Sequence, residues 1–251
     1  MISGMNDNWN RPNNNSYGGT PVNNQYSNSW NSNPSGGLIN LSPNNNASSN
    51  SSNSNRGVIN LSKGGKINLT KDTPGLKKIM FGLHWDCAQG GQYEYDLDAS
   101  VFLVDERGRT ADKDFIFYNN LVGVNDCVIH HGDDKVGSQG GDEDDEQISI
   151  DLDKIPSYVQ KVALCITIYE AQRRRQNFGQ VHNAYCRMVN EETGREEVRF
   201  NLGEDFSIEI AVVVGEVYRH NGDWKFNAIG SGFTGGLEAL CKNYGIDAEY
   251  R

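Results

Sequence analysis

The chain has 251 residues, a formal net charge of −10 and a sequence pI near 5.0. That balance argues against a nucleic-acid polymer or an anionic membrane surface as partner, because both attract clusters of Lys and Arg. No stretch approaches the roughly 20 consecutive apolar residues that span a bilayer, and the opening MISGMNDNWN lacks the basic and apolar regions of a secretion signal, so a cytoplasmic protein is expected. Five cysteines (Cys87, Cys127, Cys165, Cys186 and Cys241) stand singly, with no C-x-x-C pair. An odd, dispersed set fits reduced thiols rather than a disulfide framework or a zinc site. Cys165, inside the apolar run VALCITI, reads as a buried small hydrophobe.

Residues 1–56 hold 18 Asn and 12 Ser and only three charged side chains, Asp7, Arg11 and Arg56. So few apolar groups do not offset the entropy of ordering a backbone, and a disordered Asn/Ser-rich tail is expected there. Removing its charge of +1 leaves −11 on residues 57–251, so the acidity belongs to the folded part. A small repeat crosses the boundary: LINLS at 38–42, VINLS at 58–62 and KINLT at 66–70. The last two copies, on either side of SKGGK, predict a short hairpin.

From Lys77 onward the pattern is strand-like. KKIMFGLHW, YDLDASVFLV, DFIFYNN, CVIHH, QISIDL, KVALCITIY, NAYCRMVN, EVRFNL, IEIAVVVGEVYR and WKFNAIG are short β-branched or aromatic runs punctuated by Gly, Asn and Asp. Asn-Gly in RHNGDW (219–224) is a strong hairpin signal, and EETGR (191–195) predicts a second tight turn. EAQRRRQNF (170–178) and TGGLEALCKNYG (234–245) read as helical, the latter stopped by Gly245. The expected fold class is therefore all-β in the main: an antiparallel β-sandwich with one or two short helices, over 57–251.

Between Asp133 and Glu146 seven carboxylates face a single lysine. Such a density of like charge needs an offset. Asp142-x-Asp144-x-Glu146 alternates directly before QISIDL, which in extended chain aims all three to one side. Gly132, Gly137, Gly140 and Gly141 allow tight curling. Asp96-x-Asp98 puts a second pair in a strand otherwise fit for burial, a costly placement unless something positive sits nearby. A hard divalent cation with oxygen-only ligands meets these conditions, and many carboxylates on a glycine-rich loop favour Ca2+ over Mg2+. Asn119 and Asn120, closing DFIFYNN, offer amide oxygens. The spacing is not that of an EF-hand: counting from Asp142 puts Gln147, and from Asp96 puts Val101, where the turn glycine belongs.

These same stretches resemble the TerD family, the tellurium-resistance and general stress-protein domain. LSKGGKINLTK (61–71), FGLHWD (81–86), DLDASVFLVDERG (96–108), DFIFYNNL (114–121), HHGDD (130–134), GDEDDEQISIDLDKIP (141–156) and GEVYRHNGDWKFNAIGSGFTGGL (215–237) carry the resemblance, which covers about 61–248. It implies a β-sandwich binding one or two Ca2+ ions through Asp96, Asp98, Asn119, Asn120, Asp133, Asp142, Asp144, Asp145 and Glu146. The chain departs in a longer loop between HHGDD and GDEDDE, and in Glu143 where a glycine is common. A eukaryotic branch of the family is described as binding cyclic AMP, which makes that nucleotide, and other proteins, implied partners. No usual cyclic-nucleotide cassette is visible, and Gly215-Glu216 only faintly echoes it.

Gly230-Ser231-Gly232-Phe233-Thr234-Gly235 is a literal GxGxxG, but a dinucleotide fingerprint needs a further parallel strand and an acidic residue about 20 positions on, and the chain stops at Arg251. A β-to-α turn is expected instead. Arg173, Arg174 and Arg175 read as a solvated helix face pairing with Glu170 or nearby acids, with the grip of a phosphate or an acidic partner as the rival role. His131, beside Gly132-Asp133, reads as a strand histidine, with support of a ligand carboxylate as the rival role. The functional expectation is a non-catalytic calcium-binding stress-response module. Its rival is a metal-dependent phosphodiesterase-like hydrolase using the same carboxylates.

Overall fold

The computed structural model describes residues 57–87, 95–133, 144–202 and 206–246. The Asn/Ser-rich segment 1–56, with the first LINLS copy, lies outside the described residues, as does Asp142. Two short strands, β1 (Ile59–Leu61) and β2 (Lys66–Asn68), lead into the one-turn helix α1 (Leu69–Asp72). Then come β3 (Lys78–Cys87), β4 (Leu97–Val104), β5 (Phe115–Ile116), β6 (Val128–Asp133), β7 (Glu146–Asp151) and β8 (Lys161–Ile168). The single turn α2 (Ala171–Arg174) precedes β9 (Val181–Asn190), β10 (Arg195–Asn201), β11 (Ala211–His220), β12 (Asp223–Phe233) and the terminal helix α3 (Gly236–Asn243).

The strands form two six-stranded sheets, in the orders β1-β10-β9-β3-β7-β6 and β2-β12-β11-β8-β4-β5. All pairings between named strands are antiparallel except β1 with β10. Strand alternation supplies the shared core: Ile79, Phe81 and Leu83 of the first sheet, with Val101, Leu164 and Val212 of the second, are all buried. Each such side chain stabilises the fold by about 2 kcal/mol through removal from water. All eight residues of β4 are buried, because its outer face is covered as well. Phe102 stacks on Phe115 at 4.4 Å and on Tyr244, just after α3, at 4.6 Å.

The sandwich expected from the sequence is present, and three local readings are corrected. VINLS and KINLT do not pair with each other: β1 joins β10 in the first sheet and β2 joins β12 in the second. The turn between them crosses from sheet to sheet, pinned by Gly64 N–H donating to Ala228 O at 2.6 Å. Each strand satisfies the open backbone groups of a different edge, a better use of them than an isolated hairpin. The helical reading of 170–178 shrinks to the single turn α2, flanked by Glu170 and Arg175 in left-handed conformations at φ 50° and 55°. A run of three arginines has no apolar stripe to bury, so nothing sustains a longer helix. The GxGxxG stretch is mostly strand: β12 runs through Phe233, and only Thr234-Gly235 turn into α3. Asn221 and Gly222, at φ 52° and 81°, make the expected β11–β12 hairpin turn.

Candidate functional site

Strand register decides which side chains meet. Leu83 pairs with Glu146, Cys87 with Val181, Asp133 with Glu146 and Leu97 with Ile168. The end of β3, the start of β4, the end of β6 and the starts of β7 and β9 therefore share one end of the sandwich. Asp86, Asp96, Asp98, Asp133, Asp144, Asp145 and Glu146 sit on those strand ends, forming an acidic rim.

Within the rim, each carboxylate is held differently. Glu146 is buried and points between the sheets, where its Oε2 accepts from the Ala99 N–H at 2.7 Å. His130, also buried, accepts from the Gly132 N–H at Nδ1 (3.0 Å), which leaves Nε2 to donate to Ala99 O at 3.1 Å. Glu146 Oε2 lies 3.5 Å from the same Nε2. Two side chains of the first sheet thus satisfy both backbone groups of one residue at the margin of the second. Asp144 goes the opposite way. Its fully buried carboxylate lies on the outer face over Gly82, where Arg187 grips both oxygens at 2.6 and 2.8 Å. Gln147 adds a donor at 3.2 Å. A Cβ on Gly82 would stand 2.1 Å from that carboxyl carbon, so the missing side chain makes the seat.

The expectation that Asp144 and Glu146 share a side is thereby corrected. The chain bends at Asp145 before entering β7, and the alternation of an extended strand does not apply across the bend. Asp145 itself is half-buried, accepting from the Trp85 N–H at 2.9 Å, with His84 Nδ1 3.0 Å away. Burial raises its carboxyl above the ordinary range despite the Trp85 and His84 contacts, with Asp86 and Asp144 adding repulsion.

Asp96 lies just before β4, 4.0 Å from Arg174, whose guanidinium also stacks on Tyr169 at 4.9 Å. Asp98 is buried on β4 between Leu97 and Ala99, which face the core, so it lies on the outer side of the second sheet. Asn119 is exposed in the 117–120 turn, and Asn120 donates its amide to Phe115 O at 2.6 Å. That turn is beside β6, where the His130 N–H donates to Leu121 O at 2.8 Å. Asp133 is placed only as a strand residue opposite Glu146. The eight candidates among the described residues thus lie on more than one face of the fold, and Asp142 lies outside those residues. Among the described residues, no three His, Cys, Asp or Glu side chains come together as a metal cage.

Sequence reasoning missed four contributors. Arg187 and His84 counter the acids, Ala99 supplies backbone, and Asp86, accepting from Asn183 at 2.7 Å, adds a rim carboxylate. Asp86 was legible as the last residue of FGLHWD. Arg187 was not, since only register places it beside Gly82. Of the side motifs, Arg173 and Arg174 pair with Glu170, while His131 contacts Ser149 at 2.7 Å on the surface. Gly215-Glu216 is structural: a Cβ on Gly215 would meet the Phe226 ring at 2.6 Å, and Glu216 pairs with Lys161 at 3.4 Å.

The model of the TerD domain matches residues 58–244. General stress protein 16U of Bacillus subtilis (strain 168) is 51% identical over 191 residues, covering 75% of this chain and 98% of the relative. Tellurium resistance protein TerD of Serratia marcescens is 48% identical over 191 residues, covering 76% and 98%. The crystal structure of a homologue of telluride resistance protein (TerD) from Streptomyces coelicolor A3(2) superposes with a TM-score of 0.54 at 18% identity, covering 66% of this chain and 95% of that one, a likeness of fold alone. No helix among the described residues is long and apolar enough to cross a membrane. With the sandwich, the acidic rim and a match across nearly the whole folded part, this chain belongs to the TerD family of tellurium-resistance and stress-response proteins.

Proposed function

We propose that this TerD-family chain is a non-catalytic calcium-binding module of the stress response, and that the acidic rim is its binding region. The observation that supports the reading is the strand register, with the Glu146–Ala99 contact, that brings seven carboxylates from four strand ends to one rim. Burial, with repulsion from Asp86 and Asp144, raises the Asp145 carboxyl above its ordinary range, and a bound cation would relieve that cost. Hard carboxylate oxygens suit Ca2+, which tolerates irregular loops. Asp144 and Glu146 are already committed, to Arg187 and to Ala99 with His130, and would orient the rim. Asp145 and Asp86 would hold the ion, with Asp133 as a further oxygen donor on an adjoining strand end, while Asp98, on the outer side of the second sheet, would serve a separate ion. The bound ion would supply positive charge and nothing more. A non-catalytic role agrees with the rim histidines, since His84 and His130 are spent on carboxylates and backbone rather than on a nucleophile.

Calorimetric titration of the full chain with Ca2+ tests this. Saturable binding is expected, weakened about tenfold or more by Asp145→Asn. Because an ion that binds only the folded state stabilises it, calcium at 100 times its Kd should add about 2.7 kcal/mol, seen as a Tm that rises with calcium and falls with chelator. No binding heat and an unchanged Tm at millimolar calcium would end the proposal.

A further inference from the structure

The other end of β4 carries a polar cavity, roughly 20 Å of strand away from Asp98 at about 3.3 Å per residue. Its volume is about 340 Å3, and Asp105, Arg107, Arg109, Thr110, Asp114 and Tyr158 line it together with Leu103. The loop that displays the arginines is fixed by its own backbone. Asp105 Oδ1 accepts from the N–H groups of Arg107 and Arg109, both at 2.9 Å, and the Asp105 N–H donates to Arg109 O at 2.8 Å. Gly108, at φ 78°, closes the turn in a conformation that a side chain would strain.

Two carboxylates, Asp105 and Asp114, and two arginines line the cavity, and both carboxylates are engaged in its wall, Asp105 through the Oδ1 that holds the turn. The buried Asp114 is satisfied by Lys113 at 2.9 Å and by the Tyr158 hydroxyl at 3.0 Å, so its charge is spent within the wall. The two arginines are different. Among the described residues neither guanidinium is paired with a carboxylate, in a chain of net charge −10; Arg109 donates only to Gly245 O, at 2.9 Å. Thr110, 95% buried, has a hydroxyl with no hydrogen-bond partner in the wall it helps to form. A buried hydroxyl without a partner is disfavoured, and a turn about its χ1 would offer it to an occupant. Tyr158 is partly exposed and, with Leu103 and Ala111, gives the cavity an apolar side.

We propose that this cavity binds a small organic anion, a phosphate or carboxylate group held by Arg107 and Arg109 with a flat apolar body against Tyr158. Two planar guanidinium forks match the oxygens of either group, and Thr110 supplies a neutral donor. The size suits a ligand of a dozen or so heavy atoms, since pockets for larger ligands start near about 300 Å3. The site is separate from the acidic rim and does not depend on calcium.

The test is an NMR titration of the full chain in calcium-free buffer, with phenyl phosphate and benzoate in separate arms to distinguish the two anion chemistries. Saturable shifts confined to residues 105–111 and Tyr158 are expected for at least one of them. Arg107→Ala and Arg109→Ala should each raise Kd about tenfold, the size of one lost charge-assisted contact. Thr110→Val, which keeps shape and deletes the hydroxyl, should weaken binding while raising the Tm of the free protein. A merely structural threonine would show no such split. The proposal is overturned if shifts scatter over the surface, if the arginine variants bind as the parent does, or if neutral phenol binds as tightly as phenyl phosphate.

Discussion

Gly82 shows how one missing side chain can organise a charged site. It faces outward on β3 between Gln147 and Arg187 on the neighbouring strands, and the Asp144 carboxylate occupies the space where its Cβ would be. Arg187 converts that intrusion into an ion pair, and the contact pushes its own guanidinium further up. An alanine here has to evict a buried carboxylate from its partner. Removing one side of a buried pair leaves the other uncompensated, so Gly82→Ala should destabilise the protein by about 2 kcal/mol, less than a full ion-pair loss because Arg187 is a quarter exposed. Urea unfolding checks it. Adding Asp144→Asn to Gly82→Ala should then cost little more, since both changes break the same contact. Additive losses would show that Asp144 is not what Gly82 accommodates.

At the scale of elements, β6 and β7 meet β4 through a side-chain clamp rather than a strand ladder. Only Val101 and Phe102 of β4 pair with β5, so Ala99 is left beside an open edge. Glu146 and His130 take both of its polar groups. Glu146→Ala should cost about 2–3 kcal/mol, because it strands a buried N–H, whereas Glu146→Gln keeps an acceptor and should recover most of the loss. Chemical denaturation of the pair distinguishes the clamp from simple side-chain packing, for which both variants would suffer alike. This contact also marks the limit of what the sequence could tell. Strand existence was legible from β-branched runs such as KVALCITIY, and the β11–β12 turn from Asn-Gly, because those signals are local. The clamp, the Arg187 fork and the separate fates of VINLS and KINLT depend on which distant strands become neighbours, and no local pattern encodes that. The acidic run was conspicuous in the sequence, but a bend at Asp145, invisible to an alternation rule, divides its members between two faces.

Across the whole molecule, the two sheets are joined at both lateral margins: by the crossing turn between β1 and β2 on one side, and by the Ala99 clamp on the other. A sandwich closed in this way should open as one unit, and its cysteines report whether it does. Cys186 lies in the core between the sheets, Cys127 lies where the chain enters β6, and Cys165 of β8 lies near Cys241 of α3; all four are free thiols and buried. Burial disfavours the thiolate at each, pushing Cys127 up to about 11, Cys241 up to about 12, and Cys165 and Cys186 upward as well. The sign follows directly. An unfolded cysteine ionises near 9.0 while the folded one stays neutral, so the folded state is progressively disfavoured as pH rises from about 9 towards 11. At pH 8 the native Cys87→Ser protein should react negligibly with a disulfide reagent, and in urea all four thiols should appear with one midpoint and one rate. If Cys165 and Cys241 react ahead of Cys186, α3 is leaving the sheet on its own and the closed-sandwich account fails at that face. If Cys127 leads instead, the margin held by the Ala99 clamp is the one that opens first.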